Sequence, residues 1–157
     1  MAKDGTFEQA RRYLQQVRIL AGKYEAALLE IEELRTIAEK TVGKLAPNRV
    51  QSSKTGKENE DVMLQIVKIW DEHKEQLNLY MTFRKEVVDN IFSFVQTQHR
   101  EANVLYMYYV KGYTLQMTAD VYGMSKEWAI ERRKRGETEL QANMLKYPEK
   151  FTIFDHC

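Results

Sequence analysis

The chain has 157 residues, of which 43% are apolar and 30% charged, with two prolines and seven glycines. This is the composition of a soluble, mostly helical protein of one domain or two small modules. A net charge of +1 excludes a bulk polyanion binder, so any basic character must be local. The single cysteine, Cys157, excludes an internal disulfide and a cysteine metal cluster, and no apolar run approaches the roughly 18 residues that span a bilayer. A cytoplasmic protein without signal peptide or membrane partner is expected.

Residues 7–40 carry Leu14, Val17, Ala21, Tyr24, Leu28, Ile31 and Ala38 at spacings of three and four, with Leu20, Ala27 and Leu34 widening the stripe. That periodicity predicts one long amphipathic helix, either in a coiled coil or lying across a neighbour. From 41 to 60 the periodicity stops. Gly43, Pro47, Asn48, Ser52, Ser53 and Gly56 predict a linker, locally basic at Arg49, Lys54 and Lys57. It reads as a solvated connector, with a phosphate- or partner-touching loop as the competing view.

A second long helix is predicted over 61–96, where Ile66, Trp70, His73, Leu77, Tyr80, Arg84, Val87, Ile91 and Phe94 alternate four- and three-residue steps. Similar lengths let the two helices fold back as an antiparallel hairpin over residues 1–97, each burying the other's stripe. His73 on that seam reads as a satisfied packing residue. His99 and His156 lack partners at metal-ligand spacing, so no metal and no cofactor are expected.

Residues 98–111 predict a third helix, too densely apolar at Val104, Leu105, Met107, Tyr108 and Tyr109 for a thin stripe and so buried on more than one side. Gly112 ends it. Thr114 and Ser125 are each suited to cap a helix, since a hydroxyl accepts an orphan N–H there. Gly123 between them suits a tight turn because it takes positive φ without penalty. A capped helix, a glycine turn and a second capped helix rich in Lys and Arg have the grammar of a helix-turn-helix over 98–146; a plain helical hairpin with a charged face is the competing reading. In the tail, 147–157, Pro148 stops any continuing helix, and Phe151, Ile153 and Phe154 offer an apolar cluster for packing.

Val104, Leu105, Tyr109, Gly112, Thr114, Leu115, Ala119, Gly123 and Ser125, with the triplet Ser125-Lys126-Glu127, resemble the promoter-reading last region of bacterial sigma factors. With the long hairpin and the stretch Arg49-Val50-Gln51-Ser52-Ser53, the chain resembles phage and prophage late-operon transcription regulators of the ArpU type. It departs from that pattern at Thr118, Ala129, Arg132 and Gly136. The resemblance implies an all-α protein, a long antiparallel hairpin followed by a three-helix helix-turn-helix, that binds double-stranded DNA.

In that reading the helix from Lys126 enters the major groove and the helix from Thr114 crosses the backbone. Glu127, Ile130, Glu131 and Lys134 lie opposite Ala129, Gly136 and Leu140 and are the candidates for base contacts. Thr114, Leu115, Gln116, Ser125, Lys126, Arg132, Arg133 and Arg135 are the candidates for backbone contacts. Host RNA polymerase and a second copy joined through the long helices are further implied partners. Two other functions stay open: a DNA-packaging adaptor similar to a small terminase subunit, and a helical adaptor that binds protein alone. An enzyme is not expected, because no paired carboxylates, Ser/His/Asp set or phosphate-cradling glycine loop occurs at usable spacing.

Overall fold

Five α-helices carry the chain, and no strand occurs among the residues described by the computed structural model, 6–44 and 53–154. They are α1 (Glu8–Lys44), α2 (Ser53–Phe94), α3 (Glu101–Leu105, continued by a π-helical turn Tyr106–Val110), α4 (Leu115–Val121) and α5 (Lys126–Lys146), followed by a short 3-10 turn at Pro148–Lys150. The fold class is all-α, as the periodicities predict.

The expected linker over 41–60 is mostly helix. α1 runs on to Lys44, and α2 begins at Ser53 instead of residue 61, leaving only 45–52 outside the described residues. Gly56 and the serines suggest a loop, but Lys54, Lys57, Glu58 and Glu60 are strong helix formers, and a single glycine costs only about 1 kcal/mol.

Two compact units cut across the long helices, and neither boundary falls at residue 97. Gly22–Leu79 forms one unit; the residues up to Ala21 and from Tyr80 onward form the other. In the Gly22–Leu79 unit, Glu30 meets His73 at 3.1 Å, while the guanidinium of Arg35, further along α1, lies 5.7 Å from the ring centre of Trp70, further back along α2. Ala27 and Ile31 are buried here, whereas Leu29, Ile37, Leu64 and Val67 are exposed.

The second unit has the larger core. Tyr13, Leu14 and Val17 of α1 are fully buried, as are Val87 and Ile91 of α2, Val104, Leu105 and Tyr109 of the third helix and Leu140 of α5. Tyr13 sits edge-on to Phe83 and to Phe151, the latter from the tail. The tail is also fixed by polar side chains. Glu86 accepts from the Thr152 hydroxyl at 2.6 Å and from its backbone N–H at 3.0 Å, and from the Tyr13 hydroxyl at 2.7 Å. Gln16 donates to the Thr152 carbonyl and accepts from the Phe154 N–H, and Asn90 donates to the Lys150 carbonyl. Burial, then the Glu86 carboxylate, pushes the Tyr13 phenol well above its ordinary range.

The inner face of α5 ties this unit together. Gln141 Oε1 accepts the N–H groups of Gln9 and Ala10, two of the orphan donors at the start of α1. Asn143 donates to the Phe94 carbonyl at the end of α2, and Glu139 accepts the Gln96 N–H. Glu137, with its side chain out of solvent, accepts from Arg11 Nη2 at 2.7 Å and Nε at 3.2 Å and from the Tyr109 hydroxyl. Burial, together with that carboxylate, raises the Tyr109 phenol; the hydrogen bond to Glu137 raises Arg11. The C-terminal half of α5 is anchored on its inner side from three directions.

Gly136 completes that anchorage. A Cβ there would stand 2.9 Å from Leu105 Cδ1 and 3.0 Å from its Cγ. Glycine therefore lets α5 approach the third helix more closely than alanine would.

Candidate nucleic-acid interface

Local chemistry shapes the turn between α4 and α5. Thr114 is extended (φ −74°, ψ 165°), and its hydroxyl accepts the Met117 N–H at 3.0 Å; Ser125, equally extended, accepts the Trp128 N–H at 3.2 Å. α4 ends in a Schellman turn. The Met124 N–H reaches back to the Ala119 carbonyl at 2.9 Å and the Gly123 N–H to the Asp120 carbonyl at 3.1 Å, with Gly123 at φ 63°. Ala119 is buried, and so is Thr118, whose hydroxyl donates to the Thr114 carbonyl at 2.9 Å. That internal bond satisfies the hydroxyl and lets a threonine be buried here. α4 and α5 are thus separate helices with a fixed bend between them.

Upstream, the third helix starts at Glu101 rather than 98, because Arg100 adopts a left-handed conformation (φ 69°) that breaks the path from α2. Its π-helical last turn places Tyr109 on Glu137 and sets Tyr108 between the guanidinium groups of Arg18 and Arg133, 4.4 and 5.0 Å from its ring centre. Gly112 (φ 76°) then ends the helix.

The predicted site residues divide into three groups. Glu127, Glu131, Lys134 and Arg135 are exposed along the outer side of α5, Ile130 is half-buried at the margin of that side, and Lys126 is exposed at the start of the helix. Ala129, Gly136 and Leu140 lie on the buried side, as the helical wheel requires. Arg135 bonds to Glu131 at 3.0 Å, one turn back, so two opposite charges of the outer face partly cancel.

The start of α4 forms the second group. Thr114 and Gln116 are exposed and Leu115 is half-buried, but the Thr114 oxygen is engaged as a cap and Gln116 donates to Asp120 at 2.8 Å. Ser125 is likewise exposed and engaged in capping.

The third group requires a correction. Arg133, expected on the outer face as a phosphate contact, is turned inward. Its side chain is 15% exposed, lies over the Tyr108 ring and approaches the Glu137 carboxylate to 3.8 Å. A buried carboxylate one turn on draws the guanidinium into the unit, which outweighs its tendency to seek water. Arg132 is half-buried, with its guanidinium 5.8 Å from the Trp128 ring centre.

Four features escaped the sequence: the buried Glu137 cluster, the role of Gly136, the left-handed Arg100 and the aromatic pairing of Tyr122 with Trp128 at 5.6 Å. Only the Arg133–Glu137 spacing carried a local signal for any of them. Among the described residues no group of three metal-ligating side chains occurs, and no helix is long and apolar enough to cross a membrane.

Comparison with protein families, curated proteins and solved structures gives no match to this chain. The functional reading therefore rests on the residues themselves.

Proposed function

We propose that residues 98–146 bind double-stranded DNA as a helix-turn-helix, with the outer side of α5 in the major groove and α4 across the backbone. The observation that carries the reading is the junction: two side-chain-capped helices, a Schellman turn at Gly123, and an α5 whose inner face is locked while Lys126, Glu127, Glu131, Lys134 and Arg135 face solvent. A rigid, outward-facing polar helix of this kind is what reading of base edges requires. Lys134 donates to guanine acceptors, and Glu127 and Glu131 accept from the cytosine amino group, which makes the mixed charge of this face a means of discrimination more than of affinity.

The wider role, regulation of transcription at a promoter in a host cell's cytoplasm with RNA polymerase as a partner, rests on the sigma-like and ArpU-like residue pattern. Selection from a random duplex library with the purified full chain, at two salt concentrations, tests the core of the proposal. Enrichment of one motif, with weaker retention at the higher salt, supports it. Equal recovery of all sequences overturns it.

A further inference from the structure

On the flank of α5 beside its outer face lies a cleft of about 240 Å³ lined by Gln98, His99, Arg100, Met124, Trp128 and Arg132. No carboxylate lines it. Each of its two guanidinium groups neighbours an aromatic ring. Arg100 sits 4.2 Å from the centre of Tyr122, Arg132 sits 5.8 Å from that of Trp128, and the two rings are in contact. The closer contact, that of Arg100, holds the guanidinium in direction while leaving its N–H edge for an acceptor.

Three further observations point to an anion. Among the described residues, neither Arg100 nor Arg132 has a carboxylate within ion-pair distance. The Arg132 Nε is shielded from solvent and donates to no acceptor, an arrangement that folded proteins avoid unless something supplies one. Arg100 is the one non-glycine residue with positive φ among those described. Backbone strain of that kind persists where the surroundings hold a side chain in a required place.

We infer that this cleft is a phosphodiester clamp, in which Arg100 and Arg132, with Gln98 and His99 at the rim, grip a backbone phosphate of the duplex. The inference rests on the DNA-binding reading and deepens it. A helix lying in the major groove has a sugar–phosphate wall along each flank. Trp128 and Arg132 each follow an outer-face residue, Glu127 and Glu131, by one position, about 100° round the helix. They therefore lie where such a wall would run. Arg132 keeps its expected role as a backbone contact, and Arg100, Gln98 and His99 join it in the place that the inward-turned Arg133 leaves.

The test measures affinity for the selected duplex across a range of salt concentrations. It compares the wild type with Arg132→Gln, Arg100→Asn, the double variant and, as a control, Lys74→Gln in the other unit. Arg100→Asn is chosen because Asn tolerates the left-handed backbone, which keeps the fold intact. The double variant should flatten the slope of log affinity against log salt by about 0.9, the share of one phosphate, and each single cleft variant by part of that. Each should also weaken all duplex sequences alike, while the control leaves the slope unchanged. Far-ultraviolet circular dichroism confirms that each variant is folded.

If the wild type binds a selected duplex and the folded double variant keeps its full slope, the clamp is refuted while the DNA reading stands. A cleft variant that changes preference at a single base pair also refutes it, because the contact is then to a base. A wild type that binds no duplex removes both proposals.

Discussion

Glycine-to-alanine substitution at two mid-helix positions should act with opposite sign. Gly22 in α1 has no heavy atom within 4 Å of where a Cβ would stand, so alanine there gains helix propensity without a clash. It should stabilise the Gly22–Leu79 unit by about 0.5–1 kcal/mol. Gly136 gains the same propensity, but its Cβ would lie 2.9 and 3.0 Å from Leu105 Cδ1 and Cγ, and 3.4 Å from the Glu101 carbonyl. Leu105 is fully buried, so any shift it makes must be taken up by a close-packed interior. Overpacking of this kind costs about 1–3 kcal/mol, so Gly136→Ala should come out about 1 kcal/mol less stable. The two tryptophans report separately, one in each unit. Urea unfolding followed by Trp70 in a Trp128→Phe background reads the first substitution, and Trp128 in a Trp70→Phe background reads the second. If Gly136→Ala stabilises as much as Gly22→Ala, the close contact between α5 and the third helix is wrong.

Glu137→Ala should destabilise the same unit by about 3 kcal/mol in Trp128-detected urea unfolding, since it strands the guanidinium of Arg11 and the hydroxyl of Tyr109. This is the lower end of the range for breaking a buried pair, because Arg11 is 26% exposed and can turn to water. Both Tyr13 and Tyr109 hold their protons more tightly folded than unfolded, so their contribution is fully present below the ordinary phenol value of about 10 and is lost as pH rises above it. Stability should fall by up to about 1.4 kcal/mol per pH unit per tyrosine there, and Tyr13→Phe with Tyr109→Phe should flatten the slope in the same assay. Gly123→Ala forces a Cβ onto a left-handed residue and should cost about 1–2 kcal/mol, with weaker DNA binding as the turn opens; thermal melts and gel shifts check both.

What could be read without coordinates was local chemistry. The caps at Thr114 and Ser125 and the turns at Gly112 and Gly123 depend on residues a few positions apart, so the pattern of hydroxyls and glycines locates them. The buried side of α5 at Ala129 and Leu140 follows from helical periodicity alone. What could not be read depends on distant partners. Arg11, Tyr13 and Gln16 look like ordinary positions of a long helix, yet they contact Glu137, Glu86 and Thr152, all far away in sequence. These contacts move the start of α1 into the C-terminal unit and defeat a boundary drawn at residue 97. Arg133 fails for the same reason, since its direction is set by Glu137 and Tyr108 and not by its place in a basic run. α2 starts ahead of the predicted residue 61 because the helix-forming lysines and glutamates there outweigh the glycine and serines beside them.

The central claim is that the outer side of α5 reads bases. The most direct test measures affinity of the full chain for its selected duplex with each base pair changed in turn, for the wild type and for Lys134→Ala. The wild type should lose about 1–3 kcal/mol at each contacted pair, and Lys134→Ala should lose its discrimination at one position while keeping the rest. A profile that is flat in the wild type, or identical in the two proteins, contradicts the claim.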